Sequence, residues 1–209
     1  MTNQLPNVLP DNIEGDIGVL WSSGMESTLL ILMCIDKYGK DRVHAFTQKF
    51  PSDDPYELGQ RHYHYFSRII ADELDFTNHH VIEIHSGGLY SNEVRQELYH
   101  AALAAVPTLG IVIAGINSTH FGPLSIQSNK DAFVSSFEHL PLIYAPFINM
   151  TKDETVKMFY EKGFEQWLPY TRSCAKDTPL HCGTCLNCSE RKRGFKLAGY
   201  ADPTDYIID

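Results

Sequence analysis

Four cysteines fall within fifteen positions near the C-terminal end: Cys174, Cys182, Cys185 and Cys188, spaced C-x7-C-x2-C-x2-C. Closely spaced thiols on tight turns deliver soft ligands to one tetrahedral ion, most often Zn²⁺. Gly183, inside the first C-x2-C pair, supplies the backbone freedom such a turn needs. Every ligand position is a thiol, which leaves no coordination site for water, so the pattern predicts a structural zinc site rather than a catalytic one. Two disulfides are the competing arrangement, but neither a signal peptide nor a long apolar stretch accompanies the cysteines. A redox pair would need only two thiols beside a strand–helix junction. His181 adjoins Cys182, and adjacent residues rarely reach one ion together, so it is left out of the ligand set. Cys34, in the apolar run LLILMC, reads as a small buried hydrophobe.

The second stretch able to do chemistry is SSGMEST, which follows the apolar run DIGVLW and runs straight into a helical pattern. Small residues there let backbone N–H groups curl round an anion, and a helix N-terminus adds partial positive charge. Ser22, Ser23, Ser27 and Thr28 add hydroxyls, a set suited to phosphate or pyrophosphate. The stretch is neither the Walker loop nor the dinucleotide fingerprint. Ordinary helix capping would account for the same residues, and taken alone they do not decide between the two.

The elements that must position these groups alternate along the chain. DIGVLW, RVHAFTQKF, HHVIEI, GIVIAGIN and PLIYAPF read as five strands. Between them ESTLLILMCIDKYG, GQRHYHYFSRIIADEL, SNEVRQELYHAALAAV and DAFVSSFEHL read as helices. TKDETVKMFYEKG follows, opening on a capping box of Thr151 with Glu154 and closing on Gly163. Apolar strands alternating with helices predict an α/β fold with a doubly wound, five-stranded parallel sheet covered on both faces. Ligands of such sheets lie beyond the carboxyl ends of the strands, where SSGMEST falls. Residues 1–15 are expected to be an extended or poorly ordered lead-in, 16–168 the α/β domain, and 169–209 a zinc-binding segment packed on it.

The chain has 209 residues, 43% apolar and 21% charged, which suits one substantial core with a small annex. LLILMCI is too short and too closely flanked by charge to span a membrane. A cytoplasmic location is expected, and reduced thiols agree with it. The formal charge of −9 argues against gripping long nucleic acid by its phosphates.

SSGMEST after a strand resembles the SGGxDS loop of the PP-loop ATP pyrophosphatases, and within that superfamily the chain is similar to the 7-cyano-7-deazaguanine synthase family (QueC, also called ExsB). GQRH at 59–62, TKDETVKMFYEKGF from Thr151, and the zinc run followed by RKRGFKLAGYADPTDY from Arg191 carry the likeness. The zinc-plus-tail signature is its most specific part. The resemblance implies an adenine nucleotide alpha hydrolase-like fold and an ATP-dependent adenylating C–N ligase of queuosine biosynthesis. Such an enzyme activates 7-carboxy-7-deazaguanine as an acyl adenylate, releases pyrophosphate, admits ammonia, and repeats the activation to reach the nitrile. Leu20, Trp21, Ser22, Ser23, Gly24, Met25, Glu26, Ser27, Thr28 and Leu29 would then hold ATP with Mg²⁺. Arg61, His62 and Lys152 would act at the phosphates, and a homodimer is implied as well. Bland readings stand beside these: Arg61 and His62 as solvated helix-start residues, and Arg191 to Arg193 as a solvated face or a packing partner of the annex.

The chain departs from that family at three places. Ser23 and Glu26 stand where the loop has Gly and Asp, a VPGRN-type stretch is missing around SGGLYSNE, and IQSNK at 126–130 replaces a YPDCR-type segment. Two further readings therefore stay open. One is a QueC-like antiviral defense enzyme that joins the deazaguanine to a protein amine. The other is a catalytically impaired nucleotide-binding or interaction module.

Overall fold

The computed structural model describes residues 8–51, 62–85, 91–117, 137, 140–176 and 178–207, with residues 62, 63, 91 and 92 described by their main chain alone. Five strands form one sheet: β1 (Asp16–Leu20), β2 (Val43–Lys49), β3 (His79–Glu83), β4 (Leu109–Ala114) and β5 (Ile143–Tyr144). Every neighbouring pair is parallel and the order is β3-β2-β1-β4-β5. The chain moves outward from β1 through β2 to β3, then returns to the other side of β1 for β4. The crevice between the carboxyl ends of β1 and β4 is therefore the switch point where such sheets bind ligands.

Alternation along the strands sorts side chains onto two cores. Ile17, Val19, Val43, Ala45 and Ile113 meet α1 (Met25–Tyr38), α2 (His62–Glu73) and α4 (Lys152–Glu161) on one face. Leu20, Phe46, Val112 and Ala114 meet α3 (Ser91–Ala105) on the other, through Leu98, Tyr99 and Ala102. Each of the larger buried aliphatic side chains contributes about 2 kcal/mol. Helices on both faces make the sheet doubly wound, as the pattern predicted.

Helix boundaries follow their chemistry. The N–H of Gly39, at φ 85, closes α1 on Ile35 O at 3.0 Å. At the start of α4, Glu154 Oε2 accepts the Thr151 N–H at 2.8 Å, the capping box read from the sequence. β5 is shorter than PLIYAPF suggested. Pro141 and Pro146 cannot donate to a ladder and Leu142 sits at φ 65, which leaves two paired residues at an edge.

Residues 8–15 of the lead-in are anchored to the α/β domain. Leu9 is buried, Lys37 Nζ donates to Leu9 O at 2.9 Å, and Arg42 donates to Ile13 O at 2.7 Å. The Glu14 carbonyl fills the space a side chain at Gly110 would need. The helix expected over 131–140 lies outside the described residues apart from Phe137 and Leu140, as do Arg61 and the IQSNK segment. His62 is the first residue of α2.

Candidate functional site

Four residues separate β1 from α1, and Ser23 turns the chain among them. Its φ of 58 is left-handed, a region where an L-residue costs about 1–2 kcal/mol and glycine nothing comparable. The serine is fully buried, and its hydroxyl donates to Ser22 O at 2.6 Å. Ser27 completes the loop. Its Oγ accepts the Ser22 N–H at 3.2 Å and donates to Gly24 O at 3.2 Å. One hydroxyl has one proton, so in the 3.2 Å contact between Ser22 Oγ and Ser27 Oγ the Ser22 group is the donor. The loop keeps the curled form of a phosphate cradle although serine replaces glycine, and the first turn of α1 supplies N–H groups without intrahelical partners.

The far wall is the end of β4. A Cβ on Gly115 would lie 2.8 Å from Ser27 N and 2.9 Å from Ser27 Cα, so only glycine lets β4 reach the first turn of α1. Two residues on, Asn117 Nδ2 donates to Glu26 Oε1 at 2.9 Å. The same oxygen accepts from Lys152 Nζ in the first turn of α4. Lys152, the cation read from the sequence, thus stands at the loop with Glu26 as its counter-ion. A cation in a first turn opposes the helix dipole, and Glu26 together with Asp153 and Glu154 offsets that cost. The lysine stem lies across Gly194, where a Cβ would come within 2.5 Å of Lys152 Cγ.

Gly194 belongs to α5 (Leu186–Ala198), which begins among the cysteines with Cys185 as its N-cap residue. The sulfur atoms of Cys174, Cys182, Cys185 and Cys188 all lie within 4.8 Å of one another, with 3.9 Å between Cys182 and Cys188 and 4.0 Å between Cys174 and Cys185. A tetrahedron with metal–sulfur bonds of about 2.3 Å has edges of about 3.8 Å, so the four atoms fit round a single ion. Ligands of a four-iron cluster each bind a different iron and stand further apart. Backbone N–H groups reinforce the sulfurs: Lys176 and Cys182 donate to Cys174 Sγ at 3.4 and 3.3 Å, and Cys185 donates to Cys182 Sγ at 3.2 Å. Burial alone would raise the Cys182 thiol, but the N–H of Cys185 and the backbone and hydroxyl of Thr184 bring it down to about 6. Gly183 takes the left-handed turn at φ 76.

His181 is not part of this cluster. Its Nε2 accepts the Ser173 N–H at 3.0 Å, and burial, Arg191 and Arg172 push its pKa down to about 3. Cys34 is fully buried, and desolvation raises its thiol far above the usual range. Arg191 is the packing partner rather than part of a solvated face. It is fully buried, with Nε on Asp202 Oδ1 at 3.2 Å and NH1 on Thr171 Oγ1 at 2.7 Å, while Arg193 is exposed. Tyr206 donates to Asp202 Oδ2 at 2.6 Å, and Ile207 N donates to His181 O at 2.8 Å, which closes the C-terminal tail over the cysteine loop.

Sequence reasoning named the loop, Lys152 and the cysteines, and missed Gly115, Asn117 and Arg172. The first two are signalled by G-I-N at the end of the fourth strand. Arg172 carried no local signal.

Residues 98–199 match the family model described as "Queuosine biosynthesis protein QueC". A 7-cyano-7-deazaguanine synthase of Methanothermobacter thermautotrophicus is 40% identical over 92 residues, covering 39% of this chain and 40% of that protein. Another from Methanococcus vannielii is 35% identical over 112 residues, covering 46% of this chain and 47% of that protein. The match therefore spans less than half the length of these relatives. Among solved structures, the "U34-tRNA thiolase NcsA from Methanococcus maripaludis with its [4Fe-4S] cluster" superposes with a TM-score of 0.54. That likeness covers 94% of this chain and 76% of that one at 9% identity, and it establishes the fold. The capped α4, the four cysteines and α5 all lie in the matched segment, while the Ser22–Ser27 loop precedes it. Residues 98–199 of this chain are thus similar to the QueC family, and 7-cyano-7-deazaguanine synthases are among the proteins they resemble.

Proposed function

We propose that this chain is an ATP-dependent adenylating ligase that converts 7-carboxy-7-deazaguanine to 7-cyano-7-deazaguanine with ammonia. The observation that carries the reading is the meeting of the curled Ser22–Ser27 loop with the Lys152 ammonium at the switch point. Adenylation needs the departing pyrophosphate held and its charge met while the carboxylate approaches the α-phosphorus in line. In this reading the stretch Leu20–Leu29 cradles ATP, with the first-turn amides of α1 and the Ser22 and Ser27 hydroxyls toward the β- and γ-phosphates. Lys152 serves as the cation and Glu26 holds it in place. Asn117 fixes the Glu26 carboxylate from the opposite wall. Arg61 and His62 would complete the phosphate contacts, and Mg²⁺ would accompany the nucleotide. The first round forms the acyl adenylate of the carboxylate, and the second adenylates the oxygen of the resulting amide. Ammonia displaces AMP in the first round, and in the second the amide oxygen leaves with AMP as the nitrile forms.

Cys174, Cys182, Cys185 and Cys188 would hold Zn²⁺, whose contribution is to fold residues 169–209 against the α/β domain. The loop supports turnover over the impaired-module reading because Ser23 adopts the left-handed turn without collapsing it. The test is release of AMP and pyrophosphate from ATP with Mg²⁺, with and without 7-carboxy-7-deazaguanine and ammonium, with products read by mass spectrometry. Substrate-dependent AMP release with nitrile formation is expected. Adenylation without nitrile would transfer the assignment to another acceptor, such as a protein amine. Absence of AMP release from folded, zinc-loaded protein would overturn the enzyme reading for this substrate.

A further inference from the structure

The nucleotide loop and the cysteine module meet at one residue that neither motif contains. Arg172 lies two positions before Cys174 in an extended stretch, and its two ends serve different sites. Its main-chain N–H donates to Ser23 O at 2.8 Å, bracing the peptide that follows the left-handed turn. Its guanidinium, 1% exposed, reaches the other way into the segment between Cys174 and Cys182. There it donates to Thr178 O at 2.6 Å, Lys176 O at 3.1 Å and Pro179 O at 3.4 Å. The Phe66 ring of α2 covers the head at 5.6 Å.

The stretch around Arg172 is held by the module on both flanks. Thr171 Oγ1 and Ser173 Oγ accept from Arg191 NH1 of α5 at 2.7 and 3.3 Å, and Ser173 N donates to His181 Nε2 at 3.0 Å. The carbonyls that Arg172 grips are set in turn by the cysteine fold, since Cys174 Sγ accepts the N–H groups of Lys176 and Cys182. A buried guanidinium tolerates little loss of acceptors, and its Nε already has none. If the Cys174–Cys182 segment opens, the head must leave its pocket. The main chain that braces Ser23 O then moves with it.

We propose that Arg172 is a positioning residue through which an occupied four-cysteine site sets the affinity of the Ser22–Ser27 loop for a nucleoside triphosphate. The inference rests on the reading of that loop as the ATP site. It adds that metal and nucleotide are energetically linked, and linkage is reciprocal: ATP must tighten zinc by the factor with which zinc tightens ATP.

The test is calorimetric titration of ATP, with Mg²⁺ restored, into zinc-loaded and zinc-stripped protein, for the wild type and Arg172→Met. Removing zinc from the wild type is expected to weaken ATP by about tenfold, the size of a coupling between groups in one network. Arg172→Met is expected to bind ATP that weakly with or without zinc. Arg172→Lys should resemble Arg172→Met, because a point ammonium cannot serve three carbonyls as the planar fork does. Equal zinc dependence in wild type and variants overturns this inference alone. Absence of ATP binding by zinc-loaded wild type overturns the nucleotide reading and the inference together. Should the variants not fold, amide exchange of the wild type decides. On zinc removal the Arg172 amide is expected to lose protection while those of Val19 and Ile113 keep theirs. An Arg172 amide that stays protected, or core strands that open with it, overturns the proposal.

Discussion

Glu26 and Lys152 are paired across the crevice, from the first turn of α1 to the first turn of α4, with side chains only 12% and 13% exposed. The family loop has Asp where this chain has Glu26. In this chain one Glu26 carboxylate oxygen serves both the Lys152 ammonium and the Asn117 amide. The substitution therefore comes with an ordered counter-ion network and is not a simple loss of an acidic group. Lys152→Met would leave that carboxylate half-satisfied and is expected to lower stability by about 2 kcal/mol in urea unfolding. Lys152→Met combined with Glu26→Gln should return part of the loss. Glu26→Asp should slow pyrophosphate release by about tenfold, since a small misplacement of the cation is costly. A faster Glu26→Asp enzyme would mark the natural loop as degenerate instead.

Ser23 gives a contrasting pair of substitutions. Ser23→Ala keeps the left-handed strain and loses the bond to Ser22 O, so it is expected to be less stable than wild type by about 1 kcal/mol. Ser23→Gly relieves the strain while freeing the unfolded chain, and should stay within about 0.5 kcal/mol of wild type. Thermal melts of the two variants check the order, Gly above Ala.

Gly115 admits no side chain without moving the main chain of Ser27. Gly115→Ala is expected to cost about 2 kcal/mol by overpacking and to abolish measurable ATP binding, because the atoms displaced belong to the loop. Wild-type ATP affinity in a folded Gly115→Ala protein would show that the β4–α1 contact does not shape the site.

His79 should govern part of the acid limb of stability. Its Nε2 lies 3.0 Å from Thr47 Oγ1, whose own proton goes to Trp21 O at 2.8 Å, so His79 Nε2 is the donor. Burial, then Arg68 and His80, hold its pKa at about 4 against an ordinary 6.5, with Asp72 opposing. Between those values the unfolded chain binds more protons than the folded one, so stability falls as pH drops from about 6.5 toward 4. His79→Gln keeps a donor for Thr47 and removes the titration. Melting temperatures across that range should fall less steeply in His79→Gln than in wild type, and parallel curves would place the acid sensitivity elsewhere.

By itself the sequence determined the local and periodic features. Alternating apolar runs set five strands and, among the described residues, the helices after the first three of them, because burial on both faces of a parallel sheet demands such runs. The cysteine spacing determined a four-thiol cluster, because a short chain with a glycine turn can reach only one ion. Helix caps at Gly39 and Thr151 were equally legible, since each is satisfied within a few residues. Tertiary structure decided what depends on groups far apart in the chain. It brought Lys152 to Glu26 across 126 positions and Asn117 to Glu26 across 91. It placed Gly115 and Gly194 where only a hydrogen fits. It also buried Arg172, whose two ends join the loop to the cysteine module. No residue pattern announces these contacts. They arise where strand ends, a helix start and the cysteine loop converge, and charge and close packing settle the geometry there.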